Sequence, residues 1–147
     1  MKGKPPVLLL VEDDEAHAIL TMRSFEDIKL GNKVYWVSDG EEALDYLFRR
    51  GKYTDKEKSP RPDLILLALQ LPQFDGLEVL KEVKKSDDLK SIPVVVLTVS
   101  ESEGDIARAY SNYANSYLVK PVDFGEFSEM IRDLGHYWLV LNKKINR

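Results

Sequence analysis

The chain has 147 residues, enough for one domain, and 44% of them are hydrophobic, enough for a sizeable core. Twenty-one Lys and Arg against 25 Asp and Glu give a net charge of −4, which argues against a nucleic-acid module with a basic face. There is no cysteine, so disulfides, thiol catalysis and thiolate metal sites are excluded. The polar start Met1–Pro6 does not read as a signal peptide, and no apolar run approaches the roughly 18 residues that span a bilayer. A cytoplasmic location is the resulting expectation.

In chain order, Val7–Val11 is an all-apolar run and reads as a central strand. Glu12-Asp13-Asp14 follows at once, and one of these aspartates is placed to cap the next helix. That helix carries Ala18, Met22, Phe25 and Ile28 at helical spacing and ends near Gly31-Asn32. Val34–Val37 is a second strand. After the turn Ser38-Asp39-Gly40, a helix carries Ala43, Leu44, Leu47 and Phe48 on one side. Residues 51–62 form a long charged loop, expected to be a solvated insertion or a partner contact.

Pro62-Asp63 introduces Leu64–Leu69, six apolar residues bounded by turns, as in a strand buried on both faces. Leu71-Pro72 ends it, Asp75-Gly76 turns the chain, and Leu77, Leu80 and Val83 mark a helix. Val94–Leu97, ending at Thr98, is a fourth strand. Its helix carries Ile106, Ala109, Tyr110 and Tyr113. Ser116–Val119 is a short fifth strand ending in Lys120-Pro121. The last helix starts near Asp123, carries Phe127, Met130, Ile131, Leu134, Trp138 and Leu141, and is expected to run to about residue 142. Its run Tyr137–Leu141 is wider than a one-sided stripe, so this end is either buried from two sides or meets a second subunit. A single domain over 1–147, with its core at about 5–134, is the expected organisation.

Five alternations of strand and helix, joined by right-handed crossovers, predict a flavodoxin-like doubly wound parallel α/β sheet of order 2-1-3-4-5, with helices on both faces. In that order Glu12, Asp13, Ala68, Thr98 and Lys120 stand together at carboxyl ends of strands, where such sheets bind ligands. Glu12, Asp13 and the Gln70 carbonyl suit a hard cation such as magnesium. Thr98 offers a hydroxyl and Lys120 a point charge. Metal, hydroxyl and ammonium together stabilise a transferring phosphoryl group. At the end of the third strand, where an acceptor oxygen belongs, stands the methyl group of Ala68. A haloacid-dehalogenase-type phosphatase lacks its further acidic pair here, and a flavodoxin-type nucleotide binder lacks its phosphate loop.

The stretches LLLVEDD (8–14), PDLILLALQLPQFDGLEVL (62–80), IPVVVLT (92–98) and YLVKP (117–121) resemble the receiver domain of response regulators in two-component signalling. EALDYLFRRGKY and ANSYLVKPVDF are similar to the single-domain branch found beside cyanobacterial phytochromes. The resemblance implies that Glu12 and Asp13 are the acidic pair, with Asp13 the direct metal ligand. It implies that Gln70 gives its carbonyl to the metal and its N–H to the phosphoryl group. Thr98 matches the switch hydroxyl, with the Val99 N–H beside it, Lys120 the family's lysine, and Tyr117 the switch aromatic. Ala68 matches the phospho-accepting aspartate, and here the chain departs from the family. The partners implied are a sensor histidine kinase and an unknown downstream protein. A homodimer through the C-terminal face is possible, with no membrane and no nucleic acid. Without the acceptor, magnesium binding is expected to be weak and the aspartyl phosphate should not form. Two readings stay open: a working receiver silenced at position 68, or a naturally degenerate receiver that acts by binding alone.

Overall fold

The computed structural model describes residues 5–29 and 31–143, so Met1–Lys4 of the polar start lies outside the described residues. Five strands, β1 (Val7–Val11), β2 (Lys33–Val37), β3 (Leu64–Leu67), β4 (Val94–Thr98) and β5 (Ser116–Val119), form one parallel sheet in the order β2-β1-β3-β4-β5, as expected. The helices α1 (Glu15–Glu26), α2 (Gly40–Leu47), α3 (Gly76–Lys85), α4 (Glu103–Ser111) and α5 (Phe124–Gly135) cover it on two sides. Alternation along each strand splits the core. Leu9, Val11, Ile65, Leu67, Val94 and Val96 face α2, α3 and α4, whereas Leu8, Leu10, Leu64, Leu66, Val95 and Leu97 face α1 and α5. β3 and β4 are buried throughout, which is why their sequences are unbroken apolar runs.

Each α-helix begins on a side-chain cap: Asp14, Asp39, Asp75, Ser102 and Asp123 accept backbone N–H groups of the first turn. Lys84 clips the far end of the sheet. Its ammonium donates to the carbonyls of Lys90 and Ile92 and to Asn115 Oδ1, and burial pushes its pKa down.

Several helix faces differ from the sequence expectation. On α2 the buried aromatic is Tyr46, and Phe48, at the C-cap, is 39% exposed. Tyr46 turns inward because its hydroxyl finds the Pro60 carbonyl at 2.7 Å. On α4 only Ala109 is buried. Tyr110 is half exposed, and Tyr113 lies past the helix end at φ 70°, off the helical face altogether. Ile28 likewise falls beyond α1. β3 stops at Leu67 because the Leu69 carbonyl turns to accept the Gly76 N–H.

Residues 51–62 are charged at the surface but not loose. A 3₁₀ turn at Gly51–Tyr53 opens the segment, and the buried Ser59 hydroxyl donates to the carbonyls of Tyr53 and Asp55. The last helix does not run on regularly to residue 142. From His136 to Leu141 it is a π-helix, closed by Asn142 N–H on the Tyr137 carbonyl. The wider turn sets Trp138 and Leu139 against the α1/α5 core and leaves Tyr137, Val140 and Leu141 about half exposed. Two-sided burial within the chain is therefore not what the apolar run achieves.

Two close approaches fix the loop after β3. A Cβ on Gly76 would overlap the Ala68 carbonyl, and one on Gly40 would overlap the Phe74 carbonyl and lie 2.7 Å from Phe74 Cβ. Gly40→Ala is expected to cost about 1–3 kcal/mol through this overpacking, read as a lower urea midpoint. An unchanged midpoint would mean that the loop moves aside freely.

Candidate functional site

The carboxyl edge of the sheet carries the chemistry. The Glu12 N–H continues the ladder to the Val37 carbonyl, and the Ala68 N–H to the Val11 carbonyl. The backbone therefore sets Glu12 and Ala68 at the ends of adjacent strands β1 and β3. The Lys120 N–H bonds the Thr98 carbonyl and joins the ends of β4 and β5 in the same way. These ends surround a recess of about 200 Å³. Of the residues singled out from the sequence, Glu12, Asp13, Ala68, Gln70, Thr98, Val99 and Lys120 all line it.

Inside, the ion pairing is specific. Lys120 Nζ donates to Glu12 Oε1 at 2.7 Å, with the two side chains only 6% and 2% exposed. Glu12 Oε2 accepts the Asp14 N–H, and the Glu12 carbonyl accepts the Trp36 indole N–H at 2.7 Å. Asp13 is exposed at the rim. Asp14 is the aspartate that caps α1. The His17 N–H it accepts holds its carboxyl below the usual value, against the opposing effect of burial. Among the described residues no three His, Asp, Glu or Cys side chains converge as a metal-holding group. Glu12 is committed to Lys120, and Ala68 offers no oxygen.

Tyr117 does not line the recess but is tied to it through Ser100. Ser100 donates its N–H to Thr98 Oγ1, accepts the Tyr117 hydroxyl on its carbonyl at 3.0 Å, and gives its own hydroxyl to Asp105 Oδ2 on α4. That hydroxyl, then the neighbouring Arg108, keeps the Asp105 carboxyl below its ordinary pKa. Threonine, tyrosine and the first turn of α4 thus meet at one residue.

The sequence reading missed His17. It lines the recess, its Nδ1 lies 3.0 Å from Lys120 Nζ, and its ring stacks on Phe127 at 5.5 Å between centroids. The available signal was its place three residues after a capping aspartate, in the first turn of a helix that starts at this edge.

A family model for the response regulator receiver domain matches residues 8–132. The chain is similar to the probable methanogenesis regulatory protein FilR2 of Methanothrix harundinacea (strain 6Ac), with 45% identity over 139 residues, 95% of this chain and 87% of that protein. It is similar to response regulator Rcp1 of Synechocystis sp., with 41% identity over 92% of this chain and 90% of Rcp1. The Mn²⁺-bound Rcp1 crystal structure superposes with a TM-score of 0.90 at 39% identity, covering 97% of this chain and 100% of that one. The phosphorylated cyanobacterial phytochrome response regulator RcpA superposes with a TM-score of 0.93 at 36% identity, with the same coverage.

Proposed function

The chain belongs to the response regulator receiver family of two-component signalling, and on that premise we propose that it is a receiver silenced at its phosphoryl-accepting position, Ala68. The observation that carries the reading is the gathering of Asp13, Gln70, Thr98, Val99 and Lys120 in one recess around the Ala68 methyl. Each of these residues has a use in phosphoryl transfer, and together they have little use otherwise. A methyl group cannot attack phosphorus.

In the roles proposed, the Lys120 ammonium neutralises a phosphoryl oxygen, and the N–H groups of Gln70 and Val99 hold the others. Thr98 moves toward the group and carries Ser100 and Tyr117 with it. A phosphoryl group biases α4 and β5 only through contacts that differ between two states. A sensor histidine kinase is the donor proposed, and a downstream protein reads the surface of α4, β5 and α5. The half-exposed Tyr137, Val140 and Leu141 make the C-terminal face a candidate for homodimer contact. The proposed location is cytoplasmic, and among the described residues no helix is long and apolar enough to cross a membrane.

The donor set fits a hydrated magnesium ion, held by Asp13 and the Gln70 carbonyl, with Glu12 behind them. Magnesium keeps several waters and needs only one or two carboxylates. When bound it supplies charge neutralisation at the phosphoryl oxygens. Lys120 competes for Glu12 and Ala68 contributes nothing, so affinity should be low. Trp36, bonded to the Glu12 carbonyl, is a built-in reporter. In a Trp138→Phe background, magnesium titration followed by Trp36 fluorescence is expected to give a dissociation constant about tenfold or more above that of the Ala68→Asp chain, the loss of roughly one charged ligand contact. Equal affinities would refute the weak-metal part of the reading.

The degenerate, binding-only receiver remains the second reading. What favours it is that the site's side chains bond one another: Lys120 to Glu12, and Thr98 and Tyr117 to Ser100, with the Lys120 N–H on the Thr98 carbonyl joining the two sets.

A further inference from the structure

Lys120 sets a physical problem that position 68 makes worse. Its ammonium carries three N–H donors and no acceptor, and at 6% exposure water meets little of that demand. A buried cation is tolerated when it is paired and hydrogen-bonded. A carboxylate at position 68, lining the same recess, would be a second anionic acceptor, but the chain has a methyl there. Among the described residues its side-chain partners are Glu12 Oε1 at 2.7 Å and His17 Nδ1 at 3.0 Å.

The second contact fixes the chemistry of His17. An ammonium can only donate, so Nδ1 must carry the lone pair and Nε2 the proton. The competing neighbour, Asp14 Oδ2, is 3.6 Å from Nδ1, beyond hydrogen-bond range, so the lysine decides the tautomer. The ring has little freedom to turn away. It stacks on Phe127 of α5 with 25° between planes, and its own backbone N–H is held by the Asp14 cap. α1 and α5 together therefore aim one imidazole nitrogen at the lysine.

We infer that His17 is a positioning residue for Lys120. With no carboxylate at position 68, His17 Nδ1 and Glu12 Oε1 hold the ammonium over the recess and keep the phosphoryl subsite assembled. What Lys120 would bind there rests on the receiver reading, but the holding itself does not.

The test is thermal unfolding of His17→Leu and His17→Asn, each made in this chain and in its Ala68→Asp variant. Leucine keeps the packing on Phe127 and removes the acceptor, whereas asparagine restores an acceptor near the Nδ1 position. In this chain His17→Leu is expected to lower the melting temperature by about 4 °C, and His17→Asn to recover most of that. In the Ala68→Asp background the loss should fall to about half, because the new carboxylate shares the ammonium. Equal losses in the two backgrounds, or asparagine as damaging as leucine, overturn the inference and leave His17 a packing residue. Should a leucine variant not fold, the imidazole ¹⁵N shifts of the unsubstituted chain decide, with His136 the only other histidine. An Nε2–H tautomer at His17 supports the inference and an Nδ1–H tautomer overturns it. Neither measurement involves phosphotransfer, so each outcome is separate from whether the Ala68→Asp chain accepts a phosphoryl group.

Discussion

Incubated with acetyl phosphate and magnesium, this chain is expected to gain no phosphoryl mass, while its Ala68→Asp variant gains one phosphoryl group. The effect is all or none because it turns on a nucleophile. Covalent capture needs an oxygen at the end of β3, and Ala68 is the residue whose side chain occupies that place in the recess. The other groups are present. Lys120 and Thr98 line the same walls, and Asp13 stands exposed at the rim. Phosphoryl transfer is mostly positioning and charge stabilisation, so restoring the acceptor should restore the reaction. The new carboxylate enters beside Glu12 and Asp13, and like charges disfavour one another, so the variant should fold with equal or slightly lower stability. Intact-mass spectrometry on both chains reads the result directly. If neither chain gains mass, the remaining walls no longer form a working site, and the binding-only receiver is the better reading. If both gain mass, this chain is not silenced, and another group accepts the phosphoryl in place of a residue 68 carboxylate.

Glu12→Leu should be among the most destabilising single changes in the protein, at about 3–5 kcal/mol by urea unfolding. Glu12 and Lys120 are both almost fully buried and bonded at 2.7 Å. Removing the carboxylate leaves an ammonium in the recess with His17, among the described residues, as its one remaining side-chain acceptor. It also removes the acceptor for the Asp14 N–H, next to the start of α1. The pair itself is worth far less than its breaking suggests, because taking both charges out of water offsets most of their attraction. The double change Glu12→Leu with Lys120→Met should therefore recover most of the loss. A single-variant cost below about 1 kcal/mol would mean that the pair behaves like an exposed one, with water reaching Lys120 freely.

Much of the architecture was legible in the sequence because it depends on local patterns. VLLLV, LILL and VVVL, short apolar runs bounded by turn residues, read as buried strands. Asp14, Asp39, Asp75 and Asp123 each stand where a helix must start. The order of elements then fixed which residues share the carboxyl edge of the sheet, since parallel strands put all those ends on one side. That is why Glu12, Asp13, Ala68, Thr98 and Lys120 could be grouped without coordinates. Helix faces were less legible. Phe48 and Tyr46 are both aromatic and two residues apart, and what buries Tyr46 is a hydrogen bond to Pro60, fourteen residues away. Tyr110 and Tyr113 keep helical spacing, but α4 ends between them and buries only Ala109.

The partners of the central lysine could not be read at all from the chain. Lys120 finds Glu12 across 108 positions and His17 across 103, and no periodicity links residues so far apart. The sequence by itself determined the fold, the edge on which chemistry gathers, and the methyl group that stands just past β3, because each follows from residue type and strand order. Only the tertiary structure decided that Glu12 is committed to Lys120, that His17 closes the set, and that Ser100 joins Thr98 to Tyr117 and α4. Those facts depend on distances of about 3 Å between side chains, and such distances exist only once the helices have packed against the sheet.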